Sequence, residues 1–143
     1  GLSSMLFALI LTLYTSKNII NRKKIHLWSL IAGGIGFISI YFISNHNLLL
    51  ISFSLIGISW GSILSMPYAM LSSSVKEESM GTSMGIFNMF IVIPQIIAAI
   101  GGINILTNLI GDKVIFSMVV AGLSLIIAGL LNLLINDKKT ISY

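Results

Sequence analysis

Five apolar stretches, most of them long enough to cross a lipid bilayer, are separated in this sequence by short polar links. A hydrocarbon core about 30 Å thick takes roughly 20 helical residues at about 1.5 Å each. On that measure the chain divides into spans of about residues 2–15, 27–43, 48–72, 80–106 and 114–135. Inside a bilayer no water is available to satisfy an exposed amide. A crossing backbone must therefore bond to itself as a helix or close into a barrel. A barrel needs alternating segments of about ten residues, and these runs do not alternate. The expected class is all-α, a polytopic bundle of about five transmembrane helices.

The alternative is a very apolar soluble core packed against partner chains. Charged residues are only 8% of the chain and hydrophobic ones 56%, where an ordinary soluble domain carries about 25% charged residues. Eight basic and four acidic residues could not cover the surface that such a domain exposes. Lipid is the solvent that fits. The net charge of +4 is no nucleic-acid signature, because the basic residues sit in short links and form no continuous face. With no cysteine, disulfides and thiolate metal sites are excluded. His26 and His46 lie near segment ends and far apart, a poor metal site, and no cofactor is expected. The chain opens at Gly1 on an apolar run, without the basic start or the cleavage pattern of a signal peptide. It is expected to be a piece of a longer protein.

Charge then orients the bundle. Five crossings place the links 16–24 and 75–79 and the tail 136–143 on one side, with Lys17, Arg22, Lys23, Lys24, Lys76, Lys138 and Lys139. The other side, formed by the turn 44–47 and the stretch 108–113, holds Lys113 as its one basic residue. Basic residues in short loops stay cytoplasmic. The C-terminus is therefore expected inside a plasma membrane of the bacterial inner type, with the first segment entering from outside. Tyr14, Trp28 and Tyr41 fall near the expected interfaces, as anchoring aromatic rings do.

The segments differ in what they carry. The second and fifth are apolar nearly all round, broken by Gly33, Gly34, Gly36 and Ser39 and by Ala121, Gly122 and Gly129. Such small residues permit close helix approach, and these two segments are expected at the periphery. In the third segment Ser54, Gly57, Gly61, Ser65, Tyr68 and Ser72 recur at helical spacing, with Trp60 near mid-membrane and Pro67 as a kink. In the fourth, Gly81, Gly85, Asn88, Val92, Gln95 and Ala99 follow one face. Gly81 and Gly85 form a GxxxG pair, and Pro94 beside Gln95 frees a carbonyl one turn back, around Ile91. Asn88 and Gln95 either hydrogen-bond a neighbouring helix or meet a solute, and both readings stay open. Neutral hydrogen-bonding groups beside the Trp60 and Tyr68 rings suit an uncharged polyhydroxylated solute such as a sugar. No acidic or basic side chain lies inside an expected span, so a coupling carboxylate would lie outside this chain. No Ser/His or metal-ligand constellation points to catalysis.

The stretch SWGSILSMPYAMLSSS at residues 59–74, followed by GTSMGIFNMFIVIPQIIAAIGG at residues 81–102, resembles the C-terminal half of the sucrose and maltose type of glycoside–cation symporters, a branch of the major facilitator superfamily. Pro67 and Tyr68 match the Pro-Tyr or Pro-Phe pair that ends the tenth helix of that branch. Gly85, Asn88, Ile91, Val92, Ile93, Pro94 and Gln95 match its eleventh. The resemblance implies that the five segments are helices eight to twelve of a twelve-helix fold. The link at 16–24 departs from the Gly/Asp/Arg loop that the superfamily often places there, having neither Gly nor Asp.

The resulting expectation is secondary active transport of a neutral disaccharide, coupled to a proton or other cation, by alternating access. Trp60, Ser65, Tyr68, Asn88 and Gln95 are the candidate solute or pathway residues. Pro67 and Pro94 are the bends, and Gly57, Gly61, Gly81 and Gly85 the packing positions. The partners are then the bilayer, the solute, the coupling cation and an N-terminal half of the same chain, with no nucleic acid. Two alternatives remain open: a major facilitator carrier or exporter of another small organic solute, and a small non-transporting membrane protein that packs against a partner.

Overall fold

The computed structural model describes residues 1–15, 21–102, 105, 108 and 114–135. The helices whose bounds lie among the described residues are, in order, α1 (Leu2–Thr15), α2 (Arg22–Phe42), α3 (His46–Ser72), α4 (Met80–Ile97) and α5 (Val114–Leu131). Short 3-10 turns at Glu77–Ser79 and Asn132–Leu134 and a π turn at Ala98–Gly102 complete them. Every element among the described residues is helical. Four runs are long and apolar enough to cross a membrane: α2, α3, Glu77–Gly101 and Ile115–Leu134. The fold class is the one that the apolar runs require.

The helix ends differ from the expected spans for reasons that are local. α2 begins at Arg22, not near residue 27, because Asn21 caps it, its side chain accepting from the Lys24 amide at 3.1 Å. Helical geometry continues past the edge of the apolar run, and the basic residues become its first turn. Asn45 caps α3 in the same way through the Asn47 amide at 2.9 Å. The fourth span does not stay α-helical to residue 106. After Pro94, which has no N–H to give, the Ala98 amide is shared between the carbonyls of Pro94 and Gln95. The chain then widens into the π turn, and Gly101 leaves helical geometry altogether (φ 159°, ψ 0°).

Four of the helices stand in a row, α1 against α3, α3 against α2, and α2 against α5. α2 is thus the middle of the packing, which corrects the expectation that both α2 and α5 are peripheral; only α5 ends the row. The reason is steric. A Cβ added at Gly34 would lie 2.7 Å from the Gly122 carbonyl oxygen, and one at Gly122 the same distance from that of Gly34. One at Gly36 would lie 2.8 Å from the Ser52 carbonyl, and one at Gly33 would overlap the Ser59 side chain. The backbones touch because nothing stands between them. The most deeply buried side chains are accordingly Ser52, Ser59 and Ser62, with Leu30, Met66 and Met70 the buried apolar ones. Ser39 Oγ and Ser52 Oγ share a 2.7 Å hydrogen bond across the α2–α3 seam.

One end of the row collects the described basic residues. Arg22 donates from Nη1 to the Ala69 carbonyl (2.7 Å) and to Ser73 Oγ (2.9 Å) at the end of α3. Lys23 donates from Nζ to the Ile135 carbonyl (2.6 Å) beyond α5. Cations on the first turn of α2 oppose its own dipole, but here they reach the C-terminal ends of two antiparallel neighbours, where positive charge is favoured. Asn132 Nδ2 adds a 2.8 Å bond to the Lys23 carbonyl, while its buried Oδ1 has no partner among the described residues. Lys17, Lys113, Lys138 and Lys139, with the tail and the outer stretch beside Lys113, lie outside the described residues.

The seam yields a graded test. Gly34→Ala places a carbon 2.7 Å from a backbone oxygen, whereas Gly129→Ala meets nothing closer than 3.3 Å. Overpacking costs about 1–3 kcal/mol. Thermal unfolding of the full protein in detergent should show a clear fall in Tm for Gly34→Ala and a much smaller one for Gly129→Ala. Equal effects would contradict backbone contact at Gly34.

Candidate functional site

α4 is the exception in the packing. Among the described residues it has no buried residue and meets only α3 of the other α-helices. The joint is built from Tyr68, which follows Pro67 in the last turns of α3, and from Phe87 and Asn88 of α4. The Tyr68 hydroxyl donates to Asn88 Oδ1, and its ring stands edge-on to Phe87 with centroids 5.0 Å apart and planes at 75°. A phenol and an amide account for each other here, while the amide nitrogen of Asn88 and a lone pair of the phenol oxygen remain for another group. All groups at the joint are neutral. The chemistry this allows is hydrogen bonding and stacking, with no acid, base or nucleophile arranged to react.

Gln95 lies two turns beyond Asn88, on the same face of α4 and about 10 Å along its axis. It is exposed, and its side chain has no hydrogen-bond partner among the described residues. Gly81 and Gly85 share the exposure; a Cβ at either would meet no atom within 4 Å. Gly57 and Gly61 differ, because α1 lies across them. A Cβ at Gly57 would overlap the Ser3 side chain, and one at Gly61 would lie 3.0 Å from the Phe7 ring.

Trp60 does not join Tyr68. Eight residues of helix turn the two about 80° apart and separate them by about 12 Å. Trp60 is 55% exposed and, with Phe53 and Ser54 of α3 and Leu2, Ser3 and Leu6 of α1, lines an open, largely apolar groove. Ser65 donates to the Gly61 carbonyl at 2.8 Å and Ser54 to that of Leu50 at 2.8 Å. Those hydroxyls are held by their own helix and keep only acceptor capacity. The structure therefore brings together Tyr68 and Asn88, turns Trp60 away from Tyr68, and leaves the Ser65 hydroxyl bonded within α3 and the Gln95 side chain two turns along α4 from Asn88.

Sequence reasoning passed over the opposite face of α3. Ser52, Ser59, Ser62, Met66 and Met70 recur at spacings of seven, three, four and four, and it is this stripe that faces α2. It passed over His26 as well. Placed at a segment end on the expected boundaries, it is the fifth residue of α2, 7% exposed, with Nδ1 2.8 Å from Ser62 Oγ. The signal available was the serine spacing on α3 combined with an Asn cap at residue 21.

The joint generates a measurable expectation. Tyr68→Phe keeps the ring contact and removes the hydroxyl. A hydrogen bond between membrane helices contributes about 0.6 kcal/mol, roughly a threefold change in the population of the closed joint. Spin labels on the exposed positions Leu64 and Ile93 of the full protein should report a broader distance distribution in Tyr68→Phe. An unchanged distribution would mean that the hydroxyl does not hold α4.

The family model described as the Major Facilitator Superfamily matches residues 1–142. No curated protein and no solved structure matches the chain.

Proposed function

The chain belongs to the major facilitator superfamily, and from that premise we propose that it takes part in proton-coupled uptake of a neutral sugar, a disaccharide, by alternating access. Membership makes it a multi-pass membrane protein of a transporter family, which speaks against a small protein that only packs against a partner. The finer reading rests on one observation above the others. Among the described residues α4 meets no α-helix but α3, and the side-chain pairing across that contact is a neutral phenol–amide bond beside an aromatic ring, Tyr68, Asn88 and Phe87. A polyhydroxylated solute can exchange hydrogen bonds with such groups and stack on such a ring. A charged solute would find no opposite charge on the described parts of α3 or α4.

In this reading α1 to α5 are helices eight to twelve of a twelve-helix carrier, and the basic end at Arg22, Lys23 and Lys24 faces the cytoplasm, as does the C-terminus. The uncovered face of α4 then meets an N-terminal half of the same chain, and two six-helix halves rock about a midplane site. Pro94 and the π turn after it place irregular backbone where such a cavity would run, the arrangement that membrane helices tolerate beside water or ligand. A second reading, carriage or export of an amphipathic organic solute, is supported by the apolar groove that Trp60 lines.

Uptake of labelled sucrose and maltose by cells expressing the full reading frame, with and without a protonophore, tests the proposal. Saturable uptake that collapses with the protonophore is the expected result. Absence of both activities from protein shown to be in the membrane would remove the disaccharide assignment. Within that assay, Gln95→Leu should lower uptake at least about tenfold, a loss of about 1.4 kcal/mol or more, without lowering the amount inserted. Normal uptake would take Gln95 out of the pathway.

A further inference from the structure

Among the described residues, one ionisable side chain, His26, is buried between α2 and α3, and it is placed where a proton could be held. His26 lies one turn inside α2, and its Nδ1 is 2.8 Å from the hydroxyl of Ser62, which is fully buried. Elsewhere the same seam is filled by glycine and by a serine–serine pair at Ser39 and Ser52. An ionisable group between membrane helices is costly and marks ion or proton pathways by default.

The partner is what makes the site suitable. A hydroxyl both donates and accepts. In the Nε2–H tautomer of the neutral ring, Nδ1 accepts from Ser62. When Nδ1 takes a proton, the same hydroxyl turns and accepts from it. The hydrogen bond therefore survives in both charge states, which an amide N–H at that position could not provide.

The charged surroundings are few. α2 itself supplies Arg22, Lys23 and Lys24 within one turn, and the heads of Arg22 and Lys23 are directed to carbonyls at the ends of α3 and α5. α3 supplies the Tyr68 phenol, bonded to Asn88. The described part of α5 supplies no titratable side chain, and Glu77 and Glu78 sit on a turn that contacts α4 alone. No carboxylate among the described residues faces His26, so an imidazolium there would draw its stabilisation from Ser62 and from water admitted at the basic end of the seam.

We propose that His26 and Ser62 form a proton-binding site between α2 and α3 that loads and unloads during the transport cycle. The proton comes from bulk water and returns to it, and the only covalent change is the N–H bond. The proposal rests on the transport reading for its place in the cycle and is independent of which solute is carried.

The test is a 15N titration of the histidine rings of the full-length protein in nanodiscs, with the His26 resonance identified by its loss in His26→Gln. A resonance that passes from neutral to imidazolium between about pH 5 and about pH 8, with a midpoint that moves by about half a unit or more in Ser62→Ala, is the expected result. A ring that stays neutral over that range would overturn the proposal. If His26→Gln does not fold, the resonance perturbed by Ser62→Ala identifies the ring. Where uptake is measurable, its pH profile should change at least about threefold over the same window and flatten in His26→Gln; an unchanged profile would also overturn the role. Sugar uptake that fails while His26 titrates removes the sugar and leaves this site, and sugar uptake with a silent His26 does the reverse.

Discussion

The arrangement of this bundle depends on backbone touching backbone along α2. In lipid, apolar side chains gain nothing from leaving one apolar surrounding for another, so helices associate through close packing and hydrogen bonds. Gly33, Gly34 and Gly36 supply both conditions. They leave α2 bare where Gly122 of α5 and the Ser52 and Ser59 region of α3 approach, and at that separation serine hydroxyls can reach across, as Ser39 and Ser52 do. The buried interior therefore contains more hydroxyls than large hydrophobic side chains. The large ones, Phe42, Phe53 and Phe90 among them, are turned outward, as expected where lipid is the solvent.

The same antiparallel contact explains the basic end. Three consecutive cations at the start of a helix would be unfavourable in isolation. With α2 running against both α3 and α5, its first turn lies beside the C-terminal carbonyls of its two neighbours; Arg22 adds a charged donor to the Ala69 carbonyl, which also accepts from the Ser73 amide, and Lys23 donates to the Ile135 carbonyl. A charge cluster that orients a chain in the membrane is at the same time a set of caps.

α4 stands outside this economy of contacts, attached to α3 through Tyr68 and otherwise uncovered. A helix with glycines at one end, an amide face, a proline and a π turn is poorly suited to lipid along its whole length. It is well suited to a surface that moves against another part of the protein. Such a helix held at one joint can swing more easily than one locked by a glycine seam. In the transport reading proposed above, the contrast between a glycine-packed α2 and an α4 joined to α3 through Tyr68 marks α4 as the helix that would face the other half.

How much of this was legible beforehand can be argued from particular residues. Runs of apolar residues of bilayer length determine helices and a membrane location, because amide satisfaction in lipid permits little else. The small residues of α2 and α5 announced close packing for the same reason, and the resemblance at residues 59–102 pointed to the superfamily that the family match established. Helix ends were less legible. Hydropathy marks where lipid stops, whereas the cap at Asn21 and the proline at Pro94 decide where helical geometry starts and changes. The tertiary structure alone decided which faces meet. On α3 two stripes of small and hydroxyl residues compete, and only the position of α2 and α1 shows that Ser52, Ser59 and Ser62 face one neighbour and Gly57 and Gly61 another. It separated Trp60 from Tyr68, joined Tyr68 to Asn88, and enclosed His26. A sequence specifies which surfaces a helix carries, but each contact is a property of two helices and their register, and no single helix contains that information.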